Sequence, residues 1–199
     1  MNIATIGTSS ITETFINAIL EIEGLRLKAI YSRNLDKASR FANKYEADLV
    51  FNQLDELARC EEVDIVYIAS PNSCHFEQAV LMLENGKHVI CEKPIFSNIN
   101  ELNRAYQTAK ENGVYLFEAI RTIHTPNFKL LIDSIKRVGR IRNVNLQYMK
   151  YSSRYDQVLK GETPNIFSAK HSGGALVDLG VYPLAMAISI FGSPISTVY

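Results

Sequence analysis

Ile3-Ala4-Thr5-Ile6-Gly7-Thr8-Ser9-Ser10-Ile11-Thr12 decides how this chain folds. A short apolar run reads as a buried strand, Gly7 as a tight turn, and the hydroxyl residues behind it as the start of a helix. Working outward, the same unit recurs. Helices are predicted at Thr12–Ile22, Leu35–Tyr45, Leu54–Cys60 and Cys74–Asn85. The strands between them are Leu25–Tyr31, Asp48–Phe51, Ile65–Ala69 and His88–Cys91. Asn98 and Glu101 form a capping-box-like start to a further helix running to about Asn112, and Val114–Phe117 is a sixth strand. The strands are short and rich in Ile and Val, as befits a parallel sheet buried on both faces. Strand–helix alternation at this spacing implies a doubly wound α/β domain with right-handed crossovers.

The pattern changes after Glu118. A helix is predicted at Phe128–Val138 and a long alternating strand at Ile141–Tyr151. Residues 152–172 are polar and loop-like. Ala175–Phe191 reads as a helix containing Pro183, and Ile195–Tyr199 as the start of another strand. The fold class is therefore α/β: an N-terminal Rossmann-type doubly wound parallel sheet over residues 1–120. It is followed over residues 121–199 by the incomplete start of an α+β antiparallel-sheet domain.

Charge excludes several function classes. Lys plus Arg and Asp plus Glu balance at 21 each, which gives no electrostatic case for nucleic acid or an anionic membrane. Cys60, Cys74 and Cys91 are widely spaced and odd in number, so they read as reduced thiols, and no metal is expected. The sequence shows no leader pattern and no apolar segment of the ~20 residues that span a bilayer. A cytoplasmic location is expected.

A dinucleotide's pyrophosphate sits where the first strand turns into the first helix, because glycine lets the backbone approach and the helix supplies N–H donors. Gly7 keeps the first glycine of G-x-G-x-x-G; Ser9 and Thr12 occupy the other two glycine positions. Gly7, Thr8, Ser9, Ser10 and Ile11 are the candidate phosphate loop. Enzymes that use NAD commonly place a carboxylate after the second strand, whereas those that use NADP offer an arginine to the 2′-phosphate. Here the run is Ile30-Tyr31-Ser32-Arg33-Asn34. Ser32 and Arg33, with Lys37 assisting, favour NADP(H) over NAD(H); alternatively, Arg33 is simply a solvated surface residue.

Four further motifs carry a resemblance. They are Val66-Tyr67-Ile68-Ala69-Ser70-Pro71-Asn72-Ser73-Cys74-His75, then Gly86-Lys87-His88-Val89-Ile90-Cys91-Glu92-Lys93-Pro94, then Phe117-Glu118-Ala119, and finally Ser172 through Tyr182. In order and spacing the chain resembles the glucose–fructose oxidoreductase / inositol dehydrogenase / MocA family of oxidoreductases. The Ser-Ser-Arg-Tyr run at 152–155 is similar to the dimeric dihydrodiol dehydrogenase-like branch. The resemblance implies that Ala69, Ser70, Pro71, Asn72, His75, Glu92 and Lys93 line the cofactor pocket. It implies that Lys93 is the catalytic lysine, that a cis peptide precedes Pro94, and that Asp178 and Tyr182 complete the active site. Where the related dihydrodiol enzymes carry tryptophan and arginine after Glu-Ala, this chain has Ile120-Arg121-Thr122-Ile123-His124. Arg121 and His124 are thus candidate substrate-pocket residues, with His124 an alternative proton donor. Family members run well beyond 300 residues, so the resemblance implies a C-terminal truncation and a homodimer or higher homo-oligomer in the full-length protein.

The chemistry of the three residues stands beside the resemblance. Oxidising an alcohol requires a proton acceptor while hydride leaves for the nicotinamide. A tyrosine with an ordinary pKa of ~10 is a poor base until an ammonium stabilises its phenolate. Lys93 fits that part, and it can also polarise the substrate oxygen. Asp178 and Tyr182, four apart, share one face if both lie on a helix. Each also has a plain reading: a lysine at a strand end, a surface carboxylate, a core tyrosine. The expected function is hydride transfer between NAD(P) and a sugar, polyol, cyclic diol or related carbonyl. The alternative is a non-catalytic nucleotide-binding regulator on the same fold.

Overall fold

The computed structural model describes residues 1–196. The chain divides into two compact units, Met1–Ala119 and the residues from Ile120 onward.

The first unit is a six-stranded sheet with all pairs parallel, in the order β3-β2-β1-β4-β5-β6. The strands are β1 (Asn2–Ile6), β2 (Arg26–Tyr31), β3 (Leu49–Phe51), β4 (Ile65–Ile68), β5 (His88–Cys91) and β6 (Leu116–Glu118). Between them run α1 (Ser10–Ile19), α2 (Leu35–Tyr45), α3 (Leu54–Arg59), α4 (His75–Glu84) and α5 (Ile99–Glu111). All six strands and five helices occur where the apolar runs and turn residues predict them, with ends shifted by a few residues.

Side-chain alternation along the strands feeds two cores. Ile3, Leu27 and Ile30 pack with α1 and α2 through Ile16, Ile19, Ala38 and Phe41. Ala4, Ile6, Ala29, Val66, Ile68 and Val89 pack on the other face with Leu57, Ala79, Leu83 and Ala105 of α3, α4 and α5. The register of β1 against β2 slips between Ile3 and Ala4, so Lys28 is an extra residue on β2. That lysine is 9% exposed, and its Nζ lies 2.9 Å from Asp48 Oδ2 and 2.6 Å from Glu62 Oε2. The Glu62 and Asp48 carboxylates hold its ammonium above the ordinary lysine range. In turn Lys28, with Arg26, holds Asp48 below the ordinary carboxylate range.

The second unit departs from its sequence pattern. After a 3-10 turn at Arg121–His124 come α6 (Pro126–Ile135), α7 (Tyr155–Leu159) and α8 (Val181–Phe191). Thr125 caps α6 by accepting from Phe128 N at 3.3 Å, and Pro126 sits in the first turn, where its missing N–H costs nothing. The predicted strand at Ile141–Tyr151 has no regular secondary structure. A strand is stable only as part of a ladder, and among the described residues of this unit none is offered. Within residues 152–172, read as loop, α7 and two 3-10 turns form. The predicted helix Ala175–Phe191 is a π-turn, Leu176–Gly180, running into α8. In the predicted final strand, Ile195 and Ser196 are not in a strand, and residues 197–199 lie outside the described residues.

Contrary to the sequence reading, the run Ala169–Phe191 is long and apolar enough, by length and composition, to cross a bilayer, with a mean hydropathy of 1.7 over its most apolar 18 residues. Its continuous α-helical part is only the 11 residues of α8. At 1.5 Å per residue that is about half of a ~30 Å hydrocarbon core.

The start of α5 shows how firmly local chemistry fixes an end. Asn98 Oδ1 accepts from Asn100 N and Glu101 N, while Glu101 reaches back to Ser97 N at 2.9 Å. Replacing Asn98 with alanine is expected to cost about 1 kcal/mol in urea unfolding with an unchanged slope. A loss below a few tenths would mean that Glu101 alone holds this end.

Candidate active site

A cleft of about 350 Å³ opens at the C-terminal ends of β1, β2 and β4, where the strand order reverses direction about β1. Such a switch point is where a doubly wound sheet binds its ligand. Three segments wall it.

The first is the β1–α1 turn, with Ile6, Gly7, Thr8 and Ser9. Gly7 has φ +116°, and a Cβ there would stand 2.7 Å from the Ala69 carbonyl oxygen. The turn is pinned by Gly7 N donating to Tyr31 O and Ala69 N to Ile6 O, at 3.2 and 2.8 Å. Ser9 occupies the N-cap position of α1 without capping it through its side chain; its hydroxyl lies 3.4 Å from that of Thr12. Thr12, at the third glycine position, is fully buried.

The second wall follows β2: Tyr31, Ser32, Arg33, Asn34 and Lys37. Asn34 caps α2 by accepting from Lys37 N at 2.9 Å, and Ser32 Oγ accepts from Asn34 N at 3.3 Å. This places Arg33 and Lys37, both exposed, on the rim of the cleft. Burial raises the Tyr31 phenol above its ordinary range, against the nearby Arg33 charge.

The third wall follows β4: Ala69, Ser70, Pro71, Cys74 and Gln78. The Ser70 hydroxyl donates to Gln78 Oε1 at 2.6 Å. Two cations and no carboxylate line the cleft.

Of the residues singled out for the cofactor, Gly7, Thr8, Ser9, Ser32, Arg33, Ala69, Ser70 and Pro71 line the cleft. Ser10, Ile11, Asn72, His75, Glu92 and Lys93 do not. Ser10 and Ile11 open α1, and Asn72 begins a 3-10 turn. His75 is 1% exposed, with Nδ1 3.0 Å from Pro94 O and Nε2 3.0 Å from Ser70 O. Gln78, outside every quoted motif, and Cys74, inside one but not singled out for the cofactor, also join the cleft. The only available signal was their position on the first turn and the 3-10 approach of α4, behind Ser70-Pro71.

Glu92, Lys93 and Pro94 follow β5 in the same unit. Glu92 Oε1 accepts from the Tyr67 hydroxyl at 2.6 Å, and Oε2 accepts from Lys93 N at 3.3 Å. The Lys93–Pro94 peptide is cis. Beneath it burial pushes the Cys91 thiol well above its ordinary range, helped by the Glu92 and Glu118 carboxylates. That thiol is fully buried, the setting of an inert structural cysteine.

Arg121, His124, Asp178 and Tyr182 belong to the second unit. Arg121 and His124 bracket the exposed 3-10 turn before α6. Asp178 is on the π-turn, its N–H bonded to Gly174 O at 2.9 Å. Tyr182 is the second residue of α8, and its ring centroid is 5.0 Å from that of Tyr148. The two residues therefore do not share one uninterrupted α-helix. Pro183 explains the break: as the third residue of α8 it lies in a first turn, where proline is tolerated. Among the described residues no group of three His, Cys, Asp or Glu side chains is placed to hold a metal ion.

Fold and cleft together define a dinucleotide-binding α/β protein. Residues 1–120 match the family described as "Oxidoreductase family, NAD-binding Rossmann fold", and residues 129–199 match "GFO/IDH/MocA C-terminal domain". The chain belongs to the GFO/IDH/MocA family of oxidoreductases. It is 46% identical over 191 residues to the uncharacterized oxidoreductase YgjR of Escherichia coli (strain K12). It is 44% identical over 191 residues to scyllo-inositol 2-dehydrogenase (NADP(+)) IolU of Bacillus subtilis (strain 168). Each match covers 96% of this chain and 58% of the relative, so the chain spans little more than half the length of these proteins. Among solved structures it is similar to KijD10, a 3-ketoreductase from Actinomadura kijaniata in complex with NADP and TDP-benzene. There the TM-score is 0.81 at 26% identity, covering 96% of this chain and 57% of that one.

Gly7→Ala tests the close approach. The Cβ meets a backbone carbonyl that cannot swing away, at a φ that disfavours any side chain. The variant is expected to lose about 1–3 kcal/mol of stability and at least about tenfold in nucleotide affinity. An unchanged melting temperature with unchanged affinity would show that the turn has slack.

Proposed function

We propose that this chain is the nucleotide-binding part and the beginning of the substrate domain of an NADP(H)-dependent dehydrogenase or reductase. The reaction interconverts an alcohol and a carbonyl on a sugar, polyol, cyclic diol or related compound. The observation that carries the reading is the cleft at the β1/β4 switch point, rimmed by Arg33 and Lys37 and free of carboxylates. A carboxylate after β2 would repel a 2′-phosphate, whereas two cations and the Ser32 hydroxyl suit one. The residues present fit the dinucleotide: a tight turn at Gly7, where a Cβ would strike the Ala69 carbonyl, and α1 with its N-terminus on the same turn.

When bound, the nicotinamide accepts or supplies the hydride. The chain's own residues do the rest. Lys93 donates to the substrate oxygen and polarises it. Tyr182 exchanges the proton at that oxygen, and Asp178 orients its partners. Arg121 and His124 contribute to substrate selection, with His124 a second candidate donor. Glu92, held by Tyr67, fixes the backbone from which Lys93 projects. The IolU likeness supports a small polyol, and scyllo-inositol is the first compound to try because IolU carries it in its name. In the whole protein the second unit belongs to a domain that contributes substrate-binding residues and forms a homodimer or higher homo-oligomer. Three free cysteines suit a reducing, cytoplasmic setting.

Ser9 and Thr12 stand where two glycines are usual in a dinucleotide loop, and they favour a second reading, a non-catalytic nucleotide-binding regulator. Lys93→Met separates the two. For the enzyme, turnover with scyllo-inositol and NADP falls by at least about a hundredfold while cofactor affinity is kept. A regulator shows no turnover before or after the substitution.

Fluorescence titration with NADPH and NADH tests the cofactor directly. NADPH is expected to bind more tightly. Arg33→Ala and Lys37→Ala should each weaken it about 10- to 100-fold, as expected for loss of a charge-assisted bond, and leave NADH nearly unchanged. NADH binding equal to or tighter than NADPH would sink the preference.

A further inference from the structure

One peptide unit next to Lys93 is held from both ends. His75, the first residue of α4, places Nδ1 3.0 Å from the Pro94 carbonyl oxygen. Glu118, the last residue of β6, accepts from Ile95 N through Oε1 at 3.0 Å. The Pro94 carbonyl and the Ile95 amide are the two polar groups of a single planar peptide. One side chain thus fixes its acceptor and another its donor, and the plane cannot rotate without breaking one of the two bonds. Ile95 is itself buried at 8% exposure, so water does not replace a lost partner cheaply. The remaining ring nitrogen of His75 binds the carbonyl of Ser70, a residue of the nucleotide cleft. Burial raises the Glu118 carboxyl above its ordinary range; the Ile95 N–H and the charges of His75 and Lys93 oppose that shift, while Glu92 adds to it.

We propose that His75 and Glu118 are positioning residues that clamp the Pro94–Ile95 peptide and so fix the direction in which Lys93 presents its ammonium, with His75 also tying that turn to the nucleotide cleft. The proposal rests on Lys93 being the polarising group, and its test is arranged so that the two can fail separately. The clamp is read by amide hydrogen exchange at Ile95. Glu118→Ala is expected to speed that exchange at least tenfold, and Glu118→Gln, which keeps an acceptor oxygen, to restore most of the protection. The amides of Ile3–Ile6 in β1 should be unchanged and report that the fold is intact. His75→Gln should also speed exchange at Ile95, and it carries the test if Glu118→Ala does not fold. Positioning is read in the full chain by turnover with scyllo-inositol and NADP. In Glu118→Ala, kcat is expected to fall at least tenfold with NADP affinity within threefold, and Glu118→Gln to recover most of it.

Unaltered Ile95 exchange in folded variants would overturn the clamp. Faster exchange with an unaltered kcat would overturn its positioning role. Lys93→Met measured alongside judges the reading of Lys93: undiminished turnover would refute that reading, while Ile95 exchange would still decide whether the clamp exists.

Discussion

The parallel pairing of β1 with β2 on one side and β4 on the other is the constraint from which the nucleotide end follows. Chain leaving β1 must turn between the ends of two neighbours, and the space there is set by strand spacing rather than by side chains. Gly7 fits because it has no Cβ to meet the Ala69 carbonyl and tolerates a φ of +116°. Once that turn is made, α1 begins at Ser10, and Tyr31 and Ala69 close the floor through backbone bonds. The same pairing brings the segments after β2 and β4 to one cleft, although they are far apart in sequence.

Charge around the cleft is arranged economically. Asp36 and Glu77 begin their helices near it, yet neither lines it; the lining charges are those of Arg33 and Lys37. Glu92 and Glu118 sit under the neighbouring turn, where their oxygens serve Tyr67, Lys93 N and Ile95 N. Glu92 and Glu118 are thus engaged as acceptors for the chain itself.

The parts of the fold governed by local rules were legible in the sequence. Apolar strands between turn residues gave the sheet, and the Asn98/Glu101 pair gave the start of α5 through the bonds expected of it. The cleft was legible at Gly7 and Arg33, where residue type and place in the β–α unit coincide, and at Ser70 through the family resemblance. What the sequence hid depends on neighbours distant in the chain. Lys28 lies in a buried strand, and the Asp48 and Glu62 that pair with it are 20 and 34 positions away. His75 looks like a pocket residue until its two carbonyl partners, 5 and 19 positions away, account for both nitrogens. Ile141–Tyr151 alternates as a strand should, but alternation describes two faces and supplies no partner for the backbone. At Gly180–Val181 the change from π to α pitch leaves no mark in the apolar pattern, and Pro183 is its trace in the sequence.

The order of the cleft's parts along the chain has a consequence for synthesis. Every residue that walls it lies between Ile6 and Gln78. On the ribosome, where the N-terminus emerges first, the whole lining is outside before Lys93 or β6 has emerged. Nucleotide recognition and the groups proposed for chemistry are thus delivered in succession by translation itself, the ligand's seat before the hand that would work on it.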